Sequence, residues 1–167
     1  MAIAALCAAL IIFYAVVVPY MRLARLRAAC AGGDRVVVDT NPWPEKHRSS
    51  ATIPTMPVFE LRGEDKVGGL LDALSLRPGI PYMECRCFGG MLITIYAGDT
   101  PLARLSIQHG EDIRWQGGRW SGDQPMTSWG RARLDAFLKN QGCPTPTEAE
   151  AEFARRERAL INVLSKQ

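Results

Sequence analysis

Two cysteines and a histidine are the residues of this chain best suited to metal or thiol chemistry. Cys85 and Cys87 alternate along a predicted strand, so both thiols project to the same side of a sheet. His109 ends a later strand of the same predicted sheet, and two thiolates with an imidazole are typical ligands of tetrahedral zinc. Because zinc-binding cysteines are usually about two to four residues apart, small buried core thiols are the competing interpretation.

A second group combines His109 with the carboxylates of Glu111 and Asp112. An imidazole beside carboxylates could act as a general base. The same residues with Gly110 also form an ordinary turn composition, and the sequence contains no nucleophile elbow or phosphate-binding loop. We therefore expect no catalysis and identify no small-molecule substrate. A zinc- or thiol-dependent activity at the two cysteines and His109 is the alternative, and otherwise no cofactor is expected.

A short segment rich in arginine and tryptophan contains Arg114, Trp115, Arg119, Trp120, Trp129 and Arg131, and the first four are the predicted recognition surface. These residue types dominate the energetic centres of protein interfaces, so the segment is predicted to bind a protein partner. The alternative is that the tryptophans fill the edge of the core while the arginines stack over them. The net charge of +3 is no larger than the contribution of three arginines near the amino terminus, so we predict no nucleic-acid binding.

The amino-terminal stretch predicts a membrane anchor. Residues 1–21 carry no charged side chain, and three arginines follow before residue 28. About 20 apolar residues in a helix span roughly 30 Å, the thickness of the hydrocarbon core of a bilayer. A cleavable signal carries its positive charge before the apolar stretch, so residues 1–27 are predicted to be an uncleaved, single-pass anchor. A lipoprotein signal at Cys30 and a peripheral or buried helix are the alternatives. Since basic residues favour the cytoplasm, we expect the rest of the chain at the cytoplasmic face of the cell membrane.

Three further segments follow the predicted anchor. Residues 28–57 contain four prolines and are predicted to form a linker, in which Val36–Val38 could add an edge strand. Residues 58–142 are predicted to form a small domain, and residues 143–167 a charged helix with a narrow apolar stripe that is either solvated or bound to a partner. Five cysteines spread over these parts do not suggest a disulfide framework.

The residue patterns predict an α+β fold in which an antiparallel sheet of three to five strands packs against one or two helices. The helices are predicted at 64–74, from Thr127 or Ser128 to Asn140, and at about 148–165 behind a capping box of Thr147 and Glu150. The strands are predicted at 58–61, 83–88, 91–96, 102–108 and 113–115. The covering helix is predicted to pack through Trp129, Leu134, Phe137 and Leu138. The sequence thus predicts a membrane-anchored cytoplasmic α+β domain that binds a protein partner.

Overall fold

A computed structural model describes residues 6–7, 10, 13–40, 56–78, 89–118, 120 and 122–165. These residues form an α+β fold, in which helices pack against a six-stranded antiparallel sheet. The strands are β1 (Arg35–Asp39), β2 (Val58–Arg62), β3 (Met91–Ala97), β4 (Thr100–Gln108), β5 (Asp112–Trp115) and β6 (Gln124–Pro125). Their order across the sheet is β2-β1-β3-β4-β5-β6.

The described helices are a π-helical turn (Phe13–Val17), α1 (Val18–Ala29), α2 (Glu64–Ala73), α3 (Ser128–Asn140) and α4 (Pro146–Leu164). Helix α3 begins where the sequence predicts, because the Thr127 hydroxyl accepts a hydrogen bond from the amide of Gly130 at 2.9 Å. Among the helices of the described residues, none combines the length and the apolar character that crossing a membrane requires.

Alternation along the strands creates one apolar face of the sheet. The buried side chains of this face are Val36, Val38, Met91, Ile93, Ile95, Ala103, Leu105, Ile107, Ile113 and Trp115. They share one core with Leu26 of α1 and with Leu70 of α2, both fully buried. Helix α3 packs on α2, where Gly69 lies against the ring of Phe137. Both α1 and α2 therefore contribute to the core that the sheet builds.

The sheet differs from the sequence prediction in two strands. Strand β1 lies within the segment predicted as a linker, and it is an interior strand rather than an edge strand, since it pairs with both β2 and β3. Strand β6, which the sequence analysis does not predict, has only two residues. The prediction of three to five strands is therefore too low. The strand predicted at 83–88 lies outside the described residues.

Helix α4 begins two residues earlier than the predicted capping box requires. The box is formed by Thr145 and Glu148, not by Thr147 and Glu150. The Thr145 amide donates to the Glu148 carboxylate at 2.8 Å, and the Glu148 amide donates to the Thr145 hydroxyl at 3.2 Å. Pro146 explains the shift, because its fixed φ and missing N–H suit the first position of a helix.

Candidate functional site

The two tryptophans of the predicted binding segment lie inside the fold. Trp115 and Trp120 are each 7 % exposed, and their rings meet edge to face with centroids 5.3 Å apart. Gly118 lies against the indole of Trp115. The Trp120 indole N–H is buried and has no hydrogen-bond partner among the described residues. This arrangement agrees with the alternative interpretation, in which the tryptophans fill the edge of the core.

Arg114 lies on the opposite face of β5 from Trp115 and forms a two-pronged ion pair with Asp123. Its Nε and Nη2 atoms lie 2.7 and 3.0 Å from the two carboxylate oxygens of Asp123. Both side chains are largely buried, so this pair holds the β5–β6 connection in place. Arg119 lies outside the described residues. The structure thus does not bring the described members of the predicted site together on an exposed surface.

The predicted cysteine and histidine site lies largely outside the described residues, which include neither Cys85 nor Cys87. His109 is exposed in the turn between β4 and β5, with a φ of 52°. Within the described part of the chain, no cluster of three or more potential metal ligands occurs. Burial raises the pKa of the Cys30 thiol to about 11 and also raises the pKa of Cys143. Burial thus disfavours the reactive thiolate form of both cysteines.

Helix α3 carries an exposed tryptophan near its start. Trp129 is predicted to pack on the sheet, but it is 61 % exposed, whereas Leu134 and Leu138 are buried. The guanidinium carbon of Arg133 lies 4.4 Å from the centroid of its ring. This is a cation–π pair at a spacing of four residues, where side chains on a helix are neighbours. A tryptophan followed four residues later by an arginine on a predicted helix is the sequence signal that could have identified this pair.

Helix α1 joins the apolar amino-terminal stretch to the domain. At its carboxyl-terminal end, Leu26 and Cys30 are buried in the core. Arg27 forms an ion pair with Asp72 at 2.6 Å and donates to the carbonyl oxygen of Leu71 at 3.1 Å, so it holds α1 against α2. The end of α1 is thus part of the domain.

The other end of α1 is held by Arg22, which donates a hydrogen bond to the side-chain oxygen of Gln124 in β6. Before Arg22, the described part of the chain exposes large apolar and aromatic side chains to solvent. These are Leu6, Leu10, Phe13, Tyr14, Tyr20 and Met21. Exposed apolar groups in this number need a partner, because burying them elsewhere is favourable.

Helix α4 and the end of the sheet line an open cavity of about 500 Å³. Its wall combines apolar side chains with two ion pairs, Lys139 with Glu148 and Arg156 with Glu152. The hydrogen bond from the Thr145 amide lowers the pKa of Glu148, and the hydrogen bond from Arg156 lowers that of Glu152. The charges at this cavity are thus paired with one another.

The chain matches no protein-family model, no curated protein and no solved structure. The function proposed for it therefore depends on its own contacts.

Proposed function

We propose that the protein is a membrane-anchored, non-catalytic α+β domain that binds a protein partner at the cytoplasmic face of the cell membrane. The observation that supports this proposal is α1, whose end is buried in the domain core while the preceding residues expose apolar side chains. Residues 1–21 lack charged side chains, and a lipid bilayer is the environment that such a stretch prefers.

The attachment is short and rigid because α1 passes directly into the core. Leu26 is fully buried, and the ion pair of Arg27 with Asp72 fixes the helix against α2. A domain attached in this way has a restricted orientation relative to the membrane. A restricted orientation favours the capture of a partner that is itself at the membrane, because less orientational freedom is lost on binding.

For the partner contact we propose Trp129 and Arg133. An exposed indole offers a large rigid contact area, and tryptophan and arginine are the residues that contribute most to binding in protein interfaces. Helix α3 holds this pair firmly, since Leu134 and Leu138 on its other side are buried. A partner pocket that takes the indole and places a carboxylate near the guanidinium would fit both side chains.

Membrane attachment is tested by flotation of the full chain with vesicles. We expect the wild type to float, and Leu10→Arg to reduce the floating fraction because an arginine within the apolar stretch costs about 3 kcal/mol. Tyr20→Arg is the matched control, since an arginine at the predicted interface is tolerated. Recovery of the wild type in the aqueous fraction would contradict the anchor.

Partner binding is tested by placing a photo-activated cross-linking residue at position 129 or, as a control, at the exposed position Lys139 of the same helix. We expect one defined adduct from position 129 in membranes, and its loss when Arg133 is changed to glutamate. Equal adducts from both positions, or none from position 129, would refute the assignment of this surface.

A further inference from the structure

One end of the sheet, which we call the α4 end, consists of the end of β1, the start of β2, the start of β3 and the turn between β4 and β5. Helix α4 crosses this end from one side of the sheet to the other. Thr147 lies beside Gly110 in the β4–β5 turn, and Glu150 lies beside Gly90 just before β3. Further along, Arg156 reaches the cavity shared with Phe59 of β2. The helix axis therefore runs across the strands.

Helix α1 points past this same end of the sheet. Just beyond its carboxyl-terminal end, Gly33 lies against Ile95, which is near the opposite end of β3. Arg22, just over two turns earlier than Cys30, bonds Gln124, which pairs with Ile113 close to the α4 end. The apolar residues that precede Arg22 therefore leave the domain at the α4 end.

Helix α4 crosses the α4 end of the sheet, and the apolar residues before Arg22 leave the domain at the same end. Helix α4 therefore lies on the side of the domain that faces the membrane. We infer that α4 is a second membrane contact, which binds anionic lipid headgroups through Arg155 and Arg158. The inference rests on the proposed membrane anchor and adds to it a specific surface and a lipid class. It predicts that α4 lies roughly parallel to the bilayer, because α4 crosses the end of the sheet from which α1 emerges.

The charge of the second half of α4 agrees with this role, whereas three of the acidic residues of the helix, Glu148, Glu150 and Glu152, lie in its first half. Residues 155–167 contain four basic side chains and one acidic side chain. Ala149 and Phe153 face the domain. Arg158 lies about half a turn around the helix axis from Ala149, and Arg155 lies about half a turn from Phe153. Arg155 forms an ion pair with Glu152 at 2.8 Å, but its side chain is still 72 % exposed, and Arg158 is exposed as well. The basic side of the helix is therefore directed away from the core.

The last turns of α4 also suit a lipid surface. Ile161 and Val163 are each 57 % exposed, so the helix carries apolar side chains next to its arginines. Basic and apolar residues on one helix favour the boundary between headgroups and acyl chains. The cytoplasmic leaflet of the membrane is rich in anionic lipids. The arginines after residue 21 predict that the domain lies on this cytoplasmic side.

The test is amide hydrogen exchange of the full chain, one copy per nanodisc, in zwitterionic lipid with or without phosphatidylglycerol. We expect residues 155–165 to exchange more slowly in the anionic nanodiscs, and this protection to fall when salt is raised. Each arginine near an anionic surface strengthens the attraction by roughly fivefold, so the double variant Arg155→Gln with Arg158→Gln should lose roughly 25-fold of the protection.

The matched control removes two exposed arginines elsewhere, Arg62→Gln with Arg104→Gln, and should keep the protection of α4. Exchange of β3 serves as the internal check that every variant is folded. Equal exchange of α4 in both lipids, or loss of protection in the control, would overturn the headgroup contact while leaving the anchor intact. Failure of the wild type to enter nanodiscs would instead overturn the anchor, and with it the contact.

Discussion

Shortening the side chain of Leu26 to alanine should destabilise the domain strongly, because this residue of α1 is fully buried in the core. Leu26→Ala removes three carbon atoms, which at about 0.8 kcal/mol each amounts to about 2.4 kcal/mol of lost burial. The cavity that remains adds to this cost, so we expect a loss of about 3 to 4 kcal/mol in the free energy of unfolding. A loss of this size lowers the melting temperature by roughly 10 °C.

The assay is urea unfolding of the full chain in detergent, followed by tryptophan fluorescence, because Trp115 and Trp120 are buried beside the same core. The control is Arg25→Ala, one residue earlier on an exposed side of α1, which should change the free energy of unfolding by less than about 0.5 kcal/mol. If Leu26→Ala costs no more than Arg25→Ala, α1 is only tethered to the domain. The rigid attachment and the orientation of α4 toward the membrane would then both be refuted.

Four other changes test separate parts of the structure. Trp115→Ala should cost about 3 to 5 kcal/mol in urea unfolding, because it empties a core position; a cost below about 1 kcal/mol would show that the indole is not buried. Gly130→Ala should lower the melting temperature although alanine favours helix, because its methyl would lie 2.7 Å from the carbonyl oxygen of Ser75. The hydrogen bond from the Thr145 backbone is the largest cause of the lowered pKa of Glu148, so the ionised carboxylate stabilises the fold. This stabilisation is complete above pH 4.5, the ordinary pKa of the group, and is lost as the pH falls below that value. Glu148→Gln should remove that part of the acid dependence of α4 helicity in circular dichroism, and an unchanged acid transition would contradict the cap. A chelator should leave the unfolding midpoint unchanged, whereas a drop with release of one equivalent of zinc would favour the metal site instead.

The central strands and α3 could be predicted from the sequence because their signals are local. Strand β3 is rich in β-branched and aromatic residues, and a tight turn at Gly98, which has a φ of 54°, joins it to β4. Helix α3 has a threonine cap at its first turn. In each case neighbouring residues alone specify the element, so no knowledge of distant contacts is needed.

Strand β1 could not be predicted in its true position because its environment is set by distant residues. Val36–Val38 are three consecutive valines without alternation, and prolines follow them in the sequence. Such a continuous apolar run is compatible with an interior strand, and it is equally compatible with a short apolar stretch inside a linker. Only pairing with β2 and β3, both later in the chain, settles the position.

The exposure of the candidate binding residues could not be predicted either, because it also depends on distant contacts. Residue type indicates that tryptophan and arginine can form an interface, but exposure depends on which strand face or helix side is covered. Trp115 falls on the core face of β5 and is buried, while Trp129 falls on the outer side of α3 and is exposed. The sequence pattern therefore predicts Trp115 on the recognition surface and Trp129 in the packing stripe of α3, and both of these positions are wrong.

The interior position of β1 affects how the chain folds during synthesis. Val36 and Val38 leave the ribosome early, but their partners in β3, Ile95 and Ile93, follow only 59 and 55 residues later. At a typical synthesis rate the second edge of β1 stays unpaired for roughly 3 to 10 seconds. Strand β2 can pair first, as it follows after fewer residues. Pairing of this second edge must therefore wait for β3, and a chain that stalls before it presents an apolar strand edge to its neighbours.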